Sequence, residues 1–290
     1  MHMHPYIREL LAQRDAWFVP RPRKEPFTLD MFQALARHLQ EQPDPMDTFL
    51  SKDFAVFDWT RLGLFTGSRV SEYAQTRLRA GTRFNTIPQT RDAGIWQGQA
   101  LAFLRADFTF YSAQHELIPL SQLMTLHRQG KIVAVHIRFR FDKSPTNFSI
   151  RKFQSTNDSI LDPVAAAISC IYRADLLHSP ISEPIGVFHD RKKGLSFLRD
   201  YHVSKTMRQA CQWAYPNPAH HLRVHILCIV PHSNRITAAV ALKLGGAHDE
   251  EIAFRLRWHI SSVPTYLREC FQQVGDIVKT TLLGAYRTSL

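Results

Sequence analysis

Between residues 100 and 153 the hydrophobic pattern changes its period, and nothing else in the chain constrains the fold as much. IVAVHIRFRF (132–141) alternates apolar and polar side chains, NFSIRKF (147–153) repeats the alternation, and ALAFLRADFTFYS (100–112) shows it in part. A period of two belongs to half-buried β-strands. The intervening DKSPT holds Asp142 and Pro145, both turn formers, so a hairpin is expected there. Three strands make a small antiparallel sheet.

On both sides of this block the pattern is helical. Thr28 can cap a helix through LDMFQALARHLQ (29–40); a second helical run from Phe54 to Phe65 ends at TGSR, with Gly67 as its breaker. SRVSEYAQTRL restarts a helical pattern, residues 81–98 read as a polar loop, and from LDPVAAAISCIYRADLL (161–177) to the C-terminus the pattern is again helical. Pro180, Pro216, Pro218 and Gly245-Gly246 interrupt it. The expected class is α+β, mainly helical with a three-stranded antiparallel sheet. VPRPRKEP (19–26) reads as extended, so residues 1–24 are expected to form a basic arm and 25–290 the folded domain.

With 44% apolar residues in 290 the chain can bury a real core. Lys and Arg number 36 against 25 Asp and Glu, a net charge of +11, which favours polyanionic partners such as DNA or RNA. The cations are spread through RPRK (21–24), RLRAGTR (77–83), RFRFDK (138–143), RKK (191–193) and RLR (255–257), as an extended phosphate-binding surface requires. No apolar run approaches the ~20 residues of a membrane helix, so no membrane partner is expected. Cys170, Cys211, Cys228 and Cys270 lie far apart with no CxxC pair, which fits free thiols in a reducing intracellular compartment. His220, His221 and His225 stand close together but lack the cysteine or carboxylate spacing of a zinc site.

The chemistry-bearing residues come in a fixed order: TGSRVSEY (66–73), a strongly basic hairpin with Lys143 at its tip, HSNR (232–235), LRW (256–258) and the tyrosine of SSVPTYLRE (261–269). This order resembles the catalytic domain of the tyrosine recombinases, the phage-integrase family, over roughly residues 25 to 275. There an arginine in a TGxRxSE box is followed by a hairpin lysine, HxxR at a helix start, a histidine or tryptophan, and a nucleophilic tyrosine. The resemblance implies a catalytic set of Arg69, Lys143, His232, Arg235, Trp258 and Tyr266, with Lys152 on the following strand as the alternative lysine. A tryptophan in the fifth place looks like the eukaryotic Crypton-type elements. The chain departs from the pattern in two ways. The first box stands already at residue 66, so the helical core-binding domain is expected to be absent, truncated or encoded elsewhere; inserts also lengthen residues 77–98 and 178–220.

These residue types suit phosphodiester chemistry. In-line attack places negative charge on the non-bridging oxygens, and guanidiniums such as Arg69 and Arg235 grip them bidentately without losing a proton. A tyrosine with pKa ~10 attacks poorly while neutral, so Tyr266 needs a base, the role assigned to His232. Lys143 can protonate the leaving 5′ oxygen. Trp258 has a single N–H to donate, so its role is positional. Ser262 as N-cap and Pro264 in the first turn are expected to start the helix bearing Tyr266. Glu72 is expected to orient Arg69.

The resemblance implies cleavage and rejoining of double-stranded DNA through a 3′-phosphotyrosine, with no cofactor and no metal, by a homo-oligomer that is a tetramer on DNA. It implies an intracellular protein of a mobile element, nuclear in a eukaryotic host and cytoplasmic otherwise. Two alternatives stay open: a decayed or domesticated DNA-binding module, and a type IB topoisomerase. The tail QQVGDIVKTTLLGAYRTSL (272–290) carries an apolar face that either docks on a neighbouring protomer or caps its own core.

Overall fold

A computed structural model describes residues 24–76, 78, 81–89, 94–141, 149–264 and 267. The arm before Lys24, the DKSPT turn with Lys143, the tail and Tyr266 itself lie outside these described residues.

The chain builds an α+β fold, about half of it helical. Helix α1 (Leu29–Gln40) starts as its sequence demands: the Thr28 side chain accepts from the Met31 N–H, and Met31, Phe32, Leu35 and Leu39 line one buried face. After the short α2 (Pro45–Leu50), helix α3 (Lys52–Thr66) runs through the middle of the molecule. Every residue from Ala55 to Gly63 is buried, so α3 shows no polar face. Helices α6 (Pro163–Leu176), α7 (Asp200–Ala214) and α9 (Ser233–Leu244) pack around it. The polar members of α3 are satisfied internally. Asp58 pairs with Arg61 at 2.6 Å and with Arg173 of α6, all three shielded from solvent.

The sheet has four antiparallel strands, one more than the alternation predicts, in the order β2 (Leu117–Ile118), β1 (Phe108–Tyr111), β3 (Ala134–Phe139), β4 (Ser149–Gln154). The added strand, β2, is only two residues long, too short to carry a period. Register places Phe110, Val135 and Phe153 side by side on the face turned to the helices. The 100–112 stretch is strand only in its second half, because Arg105–Asp107 form a 3₁₀ turn.

The reading of the C-terminal half as helices alone, interrupted by prolines and Gly245-Gly246, is also corrected. Val187–Asp190 (β5) and Gly194–Phe197 (β6) form a hairpin whose turn is closed by the Asp190 carboxylate, which accepts from the Lys192 and Lys193 N–H groups at 2.9 and 3.0 Å, with Gly194 at φ 69°. At its base the Gln75 N–H donates to the Leu198 carbonyl, and this tertiary contact ends α4 (Val70–Tyr73) far sooner than SRVSEYAQTRL suggests. Helix α5 (Leu123–Arg128) follows the first strands, the single turn α8 (His221–Val224) follows α7, and α10 (Asp249–Leu256) follows α9. Helices α9 and α10 share a small core of Ala238, Ala239, Ile252, Leu256, Val263 and Leu267 beside the main one. Among the described residues no helix is long and apolar enough to cross a membrane.

Candidate functional site

Three distant segments meet at one cavity. The first follows α3, where Gly67 takes a left-handed conformation (φ 59°, ψ 26°) and closes the helix with its N–H on the Gly63 carbonyl. The chain turns sharply there, leaving Arg69 as the residue that caps α4. The Glu72 carboxylate reaches back to the Arg69 N–H at 2.7 Å, which completes half of a capping box and fixes the backbone carrying Arg69.

The second segment is HSNR. His232 precedes the first residue of α9, so the pair expected on a helix start is found there, His232 half-buried and Arg235 only 5% exposed. Asn234 donates to the Thr60 carbonyl at 2.7 Å and Arg235 donates from Nη1 to the Gly67 carbonyl at 2.7 Å. The block is thereby locked onto the end of α3, and the turn that presents Arg69 also anchors Arg235.

The third segment follows α10. Arg257 stands in the left-handed region (φ 57°, ψ 48°), which swings Trp258 under Arg235 so that the guanidinium lies 5.0 Å from the ring centre. Beyond it the Ile260–Ser262 stretch is a 3₁₀ turn capped by His259, whose Nδ1 accepts from the Ser261 N–H. Helical backbone begins at Val263, directly after Ser262, and Ser262 also lines the cavity.

The cavity holds about 460 Å³ and is lined by Arg69, Ser71, Thr76, His232, Arg235 and Trp258, together with Arg257, His259 and Ser262. Four of the six residues expected to act together are therefore in one place, and the other two, Lys143 and Tyr266, fall outside the described residues. Lys152, the alternative lysine, is exposed and is absent from this lining. It occupies the opposite side of β4 from Arg151 and Phe153, paired across the sheet with His136.

Charge in the cavity is strongly one-sided. Burial first, then the neighbouring Lys24, Arg235 and Arg69, push the His232 ring down to about 4. The imidazole is neutral at physiological pH and can accept a proton. Glu72 is the counter-charge of this cluster, held by Arg257 in a bidentate pair with both N–O distances at 2.8 Å. Arg257 and His259 are charged or titratable lining residues to which the motif order gave no role; Arg257 was visible only as part of the basic cluster RLR, and His259 only as the neighbour of Trp258. An arrangement of fixed guanidiniums around a neutral imidazole can bind a phosphate and take a proton from a hydroxyl beside it.

Among the described residues no group of three or more His, Cys, Asp or Glu could hold a metal ion, and His220 instead stacks on Tyr215 at 4.1 Å. No family model, curated protein or solved structure matches the chain.

Proposed function

We propose that this chain breaks and rejoins double-stranded DNA through a covalent 3′-phosphotyrosine at Tyr266, the chemistry of the tyrosine recombinases. The observation that carries the reading is the convergence of Arg69, His232, Arg235 and Trp258, drawn from segments up to 189 positions apart in sequence, on the lining of one cationic cavity. Ser262 brings the chain to that lining four residues ahead of Tyr266.

In this reading Arg69 and Arg235 hold the non-bridging oxygens of the scissile phosphate. The Gly67 carbonyl and the Trp258 ring fix the plane of the Arg235 guanidinium before DNA arrives, so little reorganisation is needed as charge develops. His232, neutral when the site is empty, takes the tyrosine proton, and the phosphate anion beside it raises the ring's basicity by offsetting Lys24, Arg235 and Arg69. The 5′ hydroxyl leaves with a proton from a lysine, assigned to Lys143. The phosphotyrosine retains the energy of the broken ester, so the strand can be rejoined to the same or another 5′ hydroxyl. The protein acts as an oligomer on DNA.

A suicide substrate with a nick beside the scissile phosphate tests this directly. A covalent protein–DNA adduct accumulates with the natural chain and disappears in Tyr266→Phe. Duplex binding without any adduct at low salt would place the chain among DNA-binding modules, and relaxation of supercoils without sequence preference would place it with the type IB topoisomerases.

A further inference from the structure

Beside the cavity, where α10 packs against the edge strand β4, two arginines and two phenylalanines interleave. The Arg151 guanidinium lies 4.1 Å from the centre of the Phe254 ring, and the Arg255 guanidinium lies 4.2 Å from that of Phe153. Residues 151 and 153 share one side of β4, and 254 and 255 are successive in the last turn of α10, so the crossed stacking brings the two cations together. Arg255 is tied down further, donating from Nη1 to the Lys152 carbonyl at 3.0 Å.

Both cations are held in place without an acidic partner among the described residues. Among the described residues no carboxylate lies within ion-pair distance of either, and the Arg151 Nε is buried without a hydrogen-bond partner. Burial and the neighbouring Arg257 lower the Arg151 pKa; burial and Arg151 lower that of Arg255. Like charges crowd here, met by backbone carbonyls and by the negative end of the α10 dipole. Folding pays for this with repulsion, and an anion between the two guanidiniums would relieve it.

We propose that Arg151 and Arg255 form a second anion subsite, which takes a phosphodiester of the DNA backbone next to the one held in the cavity. Arg257 stands two residues beyond Arg255 and lines that cavity, so the two subsites are contiguous. The assignment of DNA as the source of the phosphate rests on the function proposed above; the affinity for the phosphate group does not. The pair fixes where the duplex lies on the protein and reads no bases.

The test has two arms. In the first, inorganic phosphate is titrated into the full chain while the arginine Nε resonances are followed. The Arg151 and Arg255 signals move in the natural chain and equally in Arg69→Gln, and their failure to move overturns the subsite. In the second, duplex affinity is measured against salt for the natural chain, Arg151→Met and Arg255→Met, which keep an unbranched apolar stem on the ring. Each variant lowers the slope of log K against log salt by about 1, and Arg151→Lys restores much of it. Slopes unchanged in stably folded variants would show that these stacks serve packing alone. If the phosphate shifts appear but the natural chain binds no duplex, the recombinase reading falls and the anion subsite stands.

Discussion

Arg257 and Glu72 grip each other through two parallel 2.8 Å bonds across 185 positions of sequence, inside the protein and at the back of the cavity. Glu72 also accepts from the Arg69 N–H, while the Arg257 guanidinium lies 3.7 Å from the centre of the Phe139 ring. One ion pair thus ties the turn that presents Arg69 to the segment that presents Trp258. Removing either partner leaves a buried charge uncompensated, at a cost of about 3–5 kcal/mol. Urea denaturation of Glu72→Gln, Arg257→Gln and the double variant gives a loss near that size for each single change and strong non-additivity for the pair. Additive losses would mean that the two groups do not depend on each other.

Gly67 answers to two constraints at once. Its φ of 59° penalises any other residue, and a Cβ built there would meet the Leu256 side chain at 2.7 Å and the Leu256 Cα at 3.2 Å. Because the Gly67 carbonyl anchors Arg235, a shift of this turn displaces the arginine as well. Gly67→Ala is therefore expected to cost about 1–3 kcal/mol in stability. It also weakens duplex binding at a temperature where the variant is still fully folded. Gly81, equally left-handed with nothing within 4 Å of its would-be Cβ, serves as the control. Gly81→Ala leaves duplex affinity unchanged.

What could be read in advance divides along the range of the interactions. Thr28 and Gly67 mark helix ends through bonds made within four residues, so α1 and α3 are legible locally. The strands β3 and β4 announce themselves because each has one buried face. The β5–β6 hairpin was written just as locally, in DRKKG between VFH and LSF, but each strand is only four residues long, too few for a period to stand out. The early end of α4 and the role of Arg257 depend on Leu198 and Glu72, partners more than 120 positions away, and no window along the chain contains them. Four of the cavity residues, Arg69, His232, Arg235 and Trp258, were named by the order of their motifs, which is information of a different kind from periodicity.

Among the described residues Asp58 is the single carboxylate between Arg61 at 2.6 Å and Arg173, inside the fully buried stretch of α3. Arg173 is also bonded through Nε to the Phe49 carbonyl at 2.8 Å, so it cannot swing out to solvent cheaply. Asp58→Asn keeps the shape and removes the charge, stranding two buried cations, and is expected to destabilise the fold by about 3–5 kcal/mol. The measurement is the denaturant midpoint, with the near-UV circular dichroism of the aromatic residues reporting loss of packing. A variant within about 1 kcal/mol of the natural chain would show that water reaches this cluster.

His232 and His202 make stability depend on pH, and the sign follows from their surroundings. Burial, then nearby cations, press both rings down to about 4, with Lys52 and Arg199 acting on His202 and Lys24, Arg235 and Arg69 on His232. An unfolded histidine titrates near 6.5. Below that pH the unfolded chain binds protons that the folded chain refuses, so stability is fully present above about 6.5 and drains away as pH falls toward 4. Both rings are half-buried, and solvent screening holds the combined effect to about 1–2 kcal/mol. Denaturant midpoints between pH 7.5 and 4.5, the range of these titrations, should fall for the natural chain and fall less for His202→Gln. Phosphate separates the two histidines. Bound among Arg69, Arg235 and Lys24 it screens the cations that depress His232, so the His232 ring titrates at higher pH in saturating inorganic phosphate while His202 does not follow. Histidine ring resonances recorded through the titration read both values in one sample, and a His232 pKa indifferent to phosphate would mean that no anion enters the cavity.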